Sequence, residues 1–171
     1  MRKITIPDSV TSIGEFAFAY SGLTEITIPN SVKNIGESAF YYCDSLTEIN
    51  IPNSVKSIGA SAFAYSGLAE ITIPDSVTSI GNYTFYMCQN LTEVTIPDSV
   101  TSIGESAFTN SGLTEINIPN SVESIGADAF KYSDLTEITI PNSVKSIGAS
   151  AFSGCDGLTE INIPESVKLI N

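Results

Sequence analysis

The sequence predicts a β-rich solenoid, and three observations carry the prediction. The eight prolines stand at 7, 29, 52, 74, 97, 119, 141 and 164, always 22 or 23 residues apart. Seven of the twelve glycines (14, 36, 59, 81, 104, 126, 148) and seven of the eight phenylalanines (18, 40, 63, 85, 108, 130, 152) keep the same period. Ahead of each proline runs a short alternation of polar and apolar residues, as in Glu48-Ile49-Asn50-Ile51. A period of this length means one small structural unit per repeat, stacked so that neighbours bury what one unit cannot. A lone unit would not offset an ordering cost of roughly 1.5 kcal/mol per residue. No linker, charge block or compositional break interrupts the pattern, so 1–171 reads as a single repeat domain of about seven units.

The unit running from Leu46 to Gly67 shows each element in turn. Residues 48–51 alternate with β-branched side chains, which predicts a short half-buried strand. Pro52 ends it because proline cannot donate to a ladder, and Pro52-Asn53-Ser54 is a turn signal. Val55 and Ile58, three apart, predict a second short extended piece on another wall. Gly59 marks a corner, which calls either for φ > 0 or for an approach to the next coil too close for a Cβ. Residues 60–63 are expected to form a helical or 3₁₀ turn that places Ala62 and Phe63 inside, too short to be stable alone. The strands 3–6, 25–28, 48–51, 70–73, 93–96, 115–118, 137–140 and 160–163 are expected to pair in parallel as one eight-stranded sheet. Neighbours would lie about 4.8 Å apart, giving a slab roughly 34 Å long.

Composition removes several function classes. Nineteen acids against seven Lys and Arg give a net charge of −12, and the chain has no His. Its 42% hydrophobic content and mean hydropathy of +0.18 exclude a disordered polyanion, so the charge sits on a folded body. Without a basic stripe, nucleic acid and anionic membranes are not expected partners. Without His there is no imidazole base or ligand and no Ser-His or Cys-His pair, and no phosphate-cradling loop or zinc spacing occurs. The expectation is a non-enzymatic chain with no cofactor and no metal. No apolar run approaches the ~18 residues of a spanning helix, so membrane insertion is not expected. Met1-Arg2-Lys3 leads straight into Ile4 without a signal-peptide core, which fits either a cytoplasmic protein or an excised piece of a longer array.

On each strand the apolar positions point inward and the intervening ones face out on the concave side. One outward column is Glu25, Glu48, Glu70, Glu93, Glu115, Glu137 and Glu160, with Lys3 in the first strand. The other includes Thr27, Asn50, Thr72, Thr95, Asn117 and Thr139. Carboxylates some 5 Å apart repel by about 0.9 kcal/mol per neighbouring pair in bulk water before screening. Three readings remain open: a solvated ladder copied by repeat duplication, a recognition strip for a basic or hydroxyl-rich partner, or weak Ca²⁺ binding. A paired acid and base for glycoside hydrolysis is not expected, because every glutamate has the same surroundings.

Cys43, Cys88 and Cys155 each follow a repeat phenylalanine by three residues, always at a 23-residue junction. Cys43 and Cys88 are two coils apart, about 10 Å, beyond the roughly 7 Å that a disulfide spans. They are expected as buried free thiols. A further column, Tyr20, Tyr42, Tyr65, Met87, Asn110, Tyr132 and Gly154, reads as a flank covering the core edge.

Leu46-x-x-Ile49-x-Ile51 resembles the strand of leucine-rich repeats, and the continuation Ile-Pro-Asn/Asp-Ser-Val-x-Ser-Ile-Gly-x-x-Ala-Phe-x-x-Cys-x-x-Leu is similar to the BspA-like (Treponema pallidum-type) family. The match covers nearly all of 3–171. The resemblance implies a protein-binding or adhesion module that uses its concave face, at the cell surface or secreted, with a host extracellular protein as partner. The alternatives are a glycan-binding module, disfavoured by the absence of Trp, and a structural scaffold that self-associates end to end through uncapped coils.

Overall fold

The structure, a computed structural model, describes residues 2–171. Among the described residues it is a parallel solenoid without a helix, whose seven coils are followed by part of an eighth. Each coil has three walls: a concave strand wall, a Ser-Ile wall and a turn wall.

The concave wall is less continuous than the single eight-stranded sheet expected from sequence. Arg2–Thr5 pairs with Leu23–Thr27, and Glu70–Thr72 with Glu93–Thr95, while single bridges join Thr27 to Asn50 and Asn117 to Thr139. The longest ladder is the one where Lys3 faces Glu25; at the other pairings carboxylate faces carboxylate, which weakens cross-strand pairing. The pairing of Glu70 with Glu93 persists, so repulsion thins the wall without abolishing it.

From the strand, the chain turns at Pro-Asn/Asp-Ser, closed by a bond from the valine N–H to the proline carbonyl, such as Val55 to Pro52 at 3.0 Å. The serine of this turn ties the coils together: Ser54 donates to the Val32 carbonyl at 2.8 Å and Ser99 to Val77 at 2.6 Å. The Ser-Ile pairs then form two parallel ladders, one of three strands ending at Ser57–Ile58 and one of five beginning at Ser79–Ile80. The ladder is interrupted between the third and fourth coils.

Residues after the repeat glycine form successive β-turns, not the helical or 3₁₀ turn expected. Ala17, Ala19 and Ser21 donate to Gly14, Phe16 and Phe18, while the intervening Phe16, Phe18 and Tyr20 donate to Glu37, Ala39 and Tyr41 of the next coil. Splitting donors this way satisfies the backbone within a coil and between coils, and a helix would use them all internally. Phe16 and Tyr20 adopt φ of 52° and 57°, the sign that a type II turn demands at its third residue. The same two positions have positive φ in all seven coils, mostly as Ser and Tyr. The repeat glycines are explained by close approach: a Cβ on Gly126 would stand 2.6 Å from the backbone of Gly104 and Glu105. Gly14 and Gly81 are the exceptions: a Cβ on Gly14, in the first coil, would meet nothing within 4 Å, and one on Gly81 would meet nothing nearer than Thr84 Oγ1 at 3.3 Å, where the Ser-Ile ladder is interrupted.

The core follows the axis. Phe18, Phe40, Phe63, Phe85, Phe108, Phe130 and Phe152 stack nearly parallel, with centroids 5.3 to 5.7 Å apart. Around them pack the repeat Leu, Val, Ile and Ala columns, almost all buried. The widest ring spacing, 5.7 Å between Phe63 and Phe85, falls at the same junction between the third and fourth coils.

Candidate functional site: the acidic concave wall

Period-two alternation fixes this wall. Ile26, Ile49, Ile71, Val94 and Ile116 are buried, so the residues on either side of them point away from the core. Glu48, Glu70, Glu93, Glu115, Glu137 and Glu160 are exposed, and Glu25, held by Lys3, is half-buried. Thr27, Asn50, Thr72, Thr95, Asn117 and Thr139 are exposed beside them. The structure therefore brings both expected columns to one face. Glu70 lies opposite Glu93 and Thr72 opposite Thr95 in register.

The wall forms two open basins. The larger, about 830 Å³, runs from Glu25 to Glu93 and has Thr72 and Thr95 in its lining. The second, about 550 Å³, contains Glu93, Glu115, Glu137, Asn117 and Thr139. Glu93 borders both, so the row is continuous through them. Among the described residues, an ion pair reaches one member of the row, Glu25. No group of three or more His, Cys, Asp or Glu among them is arranged to hold a metal ion.

A third outward column was not assigned a role from sequence. Thr24, Thr92 and Thr136 donate to the carbonyls of Arg2, Ala69 and Thr114 in the preceding coil at 3.2 to 3.4 Å. Their recurrence was legible, but the acceptor is a backbone group that only stacking brings near. Beta-branching leaves the hydroxyl of Thr close to its own backbone, which suits it to this tie.

The three cysteines follow the last turn of the turn wall and are buried free thiols. Each donates to a phenylalanine carbonyl one coil earlier: Cys43 to Phe18 at 3.1 Å, Cys88 to Phe63 at 3.1 Å and Cys155 to Phe130 at 3.0 Å. Each also lies 3.4 Å from the hydroxyl of Ser21, Ser66 or Ser133. Burial pushes all three thiols up, Cys88 to about 11, which keeps them protonated and unreactive. No helix among the described residues is long and apolar enough to cross a membrane.

Comparison with known proteins agrees with this geometry. A leucine-rich repeat protein from Bacteroides ovatus superposes with a TM-score of 0.90 at 37% identity over 98% of this chain. This chain spans 44% of that one. The Treponema pallidum leucine-rich repeat protein matches with a TM-score of 0.69 and 28% identity, covering 98% of this chain and 72% of its own. A leucine-rich cell surface protein from Faecalibacterium prausnitzii matches with a TM-score of 0.58 and 27% identity, over 99% and 77% of the two chains. No curated protein matches the chain. The model of the BspA-type leucine-rich repeat region matches residues 1–78 and 56–171. With that pattern running the length of the molecule and the stacked coils it specifies, the chain belongs to the BspA-type leucine-rich repeat family.

Proposed function

We propose that this chain is a non-enzymatic protein-binding module of surface-adhesin type, and that the acidic concave wall recognises a basic or hydroxyl-rich patch on an extracellular host protein. The observation that supports this reading most is the row from Glu48 to Glu160, exposed on one wall beside its Thr and Asn neighbours with half-buried Glu25 at its head, its members from Glu25 to Glu137 lining two adjoining basins. Like charges held side by side repel one another, and a cationic partner would relieve that repulsion. The cell surface description of the Faecalibacterium prausnitzii neighbour supports a surface or secreted location.

The test is binding to a panel of purified extracellular matrix proteins, with the Glu70→Gln, Glu93→Gln, Glu115→Gln variant beside the unmodified chain. Loss of at least tenfold in affinity, with binding that weakens as salt rises, is the expected result. Unchanged affinity without salt dependence would return the row to a solvated ladder.

A further inference from the structure

The turn wall of the first four coils carries an aromatic face that the repeat does not need. Tyr20, Tyr42 and Tyr65 stack on one another with centroids 5.3 to 5.5 Å apart. Tyr41 meets Tyr20 and Tyr65 edge-on, and Tyr86 meets Tyr65 and Tyr83 in the same way, at 5.4 to 5.7 Å. Six tyrosines of the chain's seven thus form one network, with Tyr20, Tyr42 and Tyr83 exposed. Tyr20, Tyr42, Tyr65 and Tyr83 all hold φ near +57°, where an L side chain costs roughly 1–2 kcal/mol. The turn does not require them: Asn110 and Gly154 occupy the Tyr42 position in later coils with the same sign of φ. Exposed aromatic rings at strained positions that Asn110 and Gly154 also fill call for a partner.

The sixth coil shows what such a ring takes. Lys131 Nζ lies 5.6 Å from the Tyr132 ring centroid and 3.1 Å from Asp128 Oδ1, so a cation is held by a ring and a carboxylate of the same turn wall. The turn segments of coils one to four, 14–22, 36–45, 59–67 and 81–90, contain Glu15, Glu37 and Asp44 but no Lys or Arg. In these coils the Asp128 position is taken by Phe16, Ser38, Ser61 and Tyr83, so the carboxylates of the segments stand elsewhere, at Glu15, Glu37 and Asp44, and the segments supply no cation. We propose that this tyrosine face is a second docking surface, recognising an arginine-bearing extended segment of another protein. Arginine fits better than lysine because its planar, weakly hydrated guanidinium stacks on a ring while its edge N–H groups donate to carboxylates or phenol oxygens. Burial raises Tyr41 and Tyr65, and the hydrogen bond to Glu105 raises Tyr83, so these three hydroxyls stay neutral.

The test uses octa-arginine and octa-lysine peptides, equal in charge, titrated against the full chain carrying Glu70→Gln, Glu93→Gln and Glu115→Gln so that the concave row contributes less. Octa-arginine is expected to bind about tenfold tighter than octa-lysine and to shift the tyrosine ring-proton resonances. Adding Tyr20→Asn, Tyr42→Asn and Tyr65→Asn, the residue that position 110 already carries, is expected to erase the preference while thermal unfolding shows the variant still folded. Equal binding of the two peptides, a preference that survives the Asn variant, or ring resonances that stay still on binding would each overturn the proposal. Because the concave row is altered in every arm, this result is independent of the matrix-protein test.

Discussion

The concave wall and the turn wall repeat with one period, yet the chain holds them together in different ways. On the concave wall, glutamates face glutamates, the ladder survives in pieces, and the side chains lie open to solvent. On the turn wall, three backbone bonds cross to the next coil at each of the interfaces from Phe16 to Tyr132, even where the Ser-Ile ladder is interrupted. Behind them the phenylalanine stack runs unbroken. The difference teaches that cohesion resides in the turn wall and core. The concave wall, relieved of that duty, tolerates a charge row that would weaken a sheet carrying the structure alone.

Removing a stack member is the most direct way to break this division. Phe108→Ala is expected to cost about 3–5 kcal/mol in urea unfolding, because it opens a cavity in a fully buried ring column. Next is the corner leading into the turn wall. Gly126→Ala puts a Cβ against the backbone of the preceding coil at Gly104 and Glu105 and is expected to cost about 1–3 kcal/mol. Gly81→Ala, where the added Cβ meets only Thr84 Oγ1 at 3.3 Å, is expected to change stability by less than about 1 kcal/mol. Equal losses at the two glycines would show that the interruption in the Ser-Ile ladder is not a real loosening.

A pH series sharpens the contrast further. Burial raises Cys88 from 9.0 in the unfolded reference to about 11 in the folded chain, so between these values the unfolded state loses a proton that the folded state keeps. Stability from this source is complete below pH 9 and falls as pH rises towards 11. Urea midpoints measured across that window are expected to fall less steeply for Cys88→Ala than for the unmodified chain. The smallest effect belongs to the concave wall: Glu70→Gln, Glu93→Gln, Glu115→Gln is expected to raise stability by about 0.5 kcal/mol at low salt, and by nothing measurable at 1 M salt. A salt-insensitive or destabilising result would mean that the row contributes to cohesion after all.

Much of this was legible in the residues because repetition averages out the ambiguity of any one short strand. Seven copies of Ile-x-Ile-Pro set the period, the inward columns and the outward row of Glu25 to Glu160. The turn wall was less legible. Ser38, Ser61 and Tyr65 carry no local mark of positive φ, since nothing in Ser or Tyr favours that region over others. Their strain is offset by bonds to the following coil, and those partners are 22 or so residues away in sequence. The tyrosine network was hidden for the same reason: Tyr41 and Tyr65 belong to different coils and touch only after stacking.

The sequence by itself determined the period, the buried columns and the family, because each follows from side-chain type at fixed spacing. The tertiary structure alone decided which wall is continuous, why the glycines recur and where the tyrosines meet. Those depend on distances between backbones of neighbouring coils, to which no local preference of a residue refers.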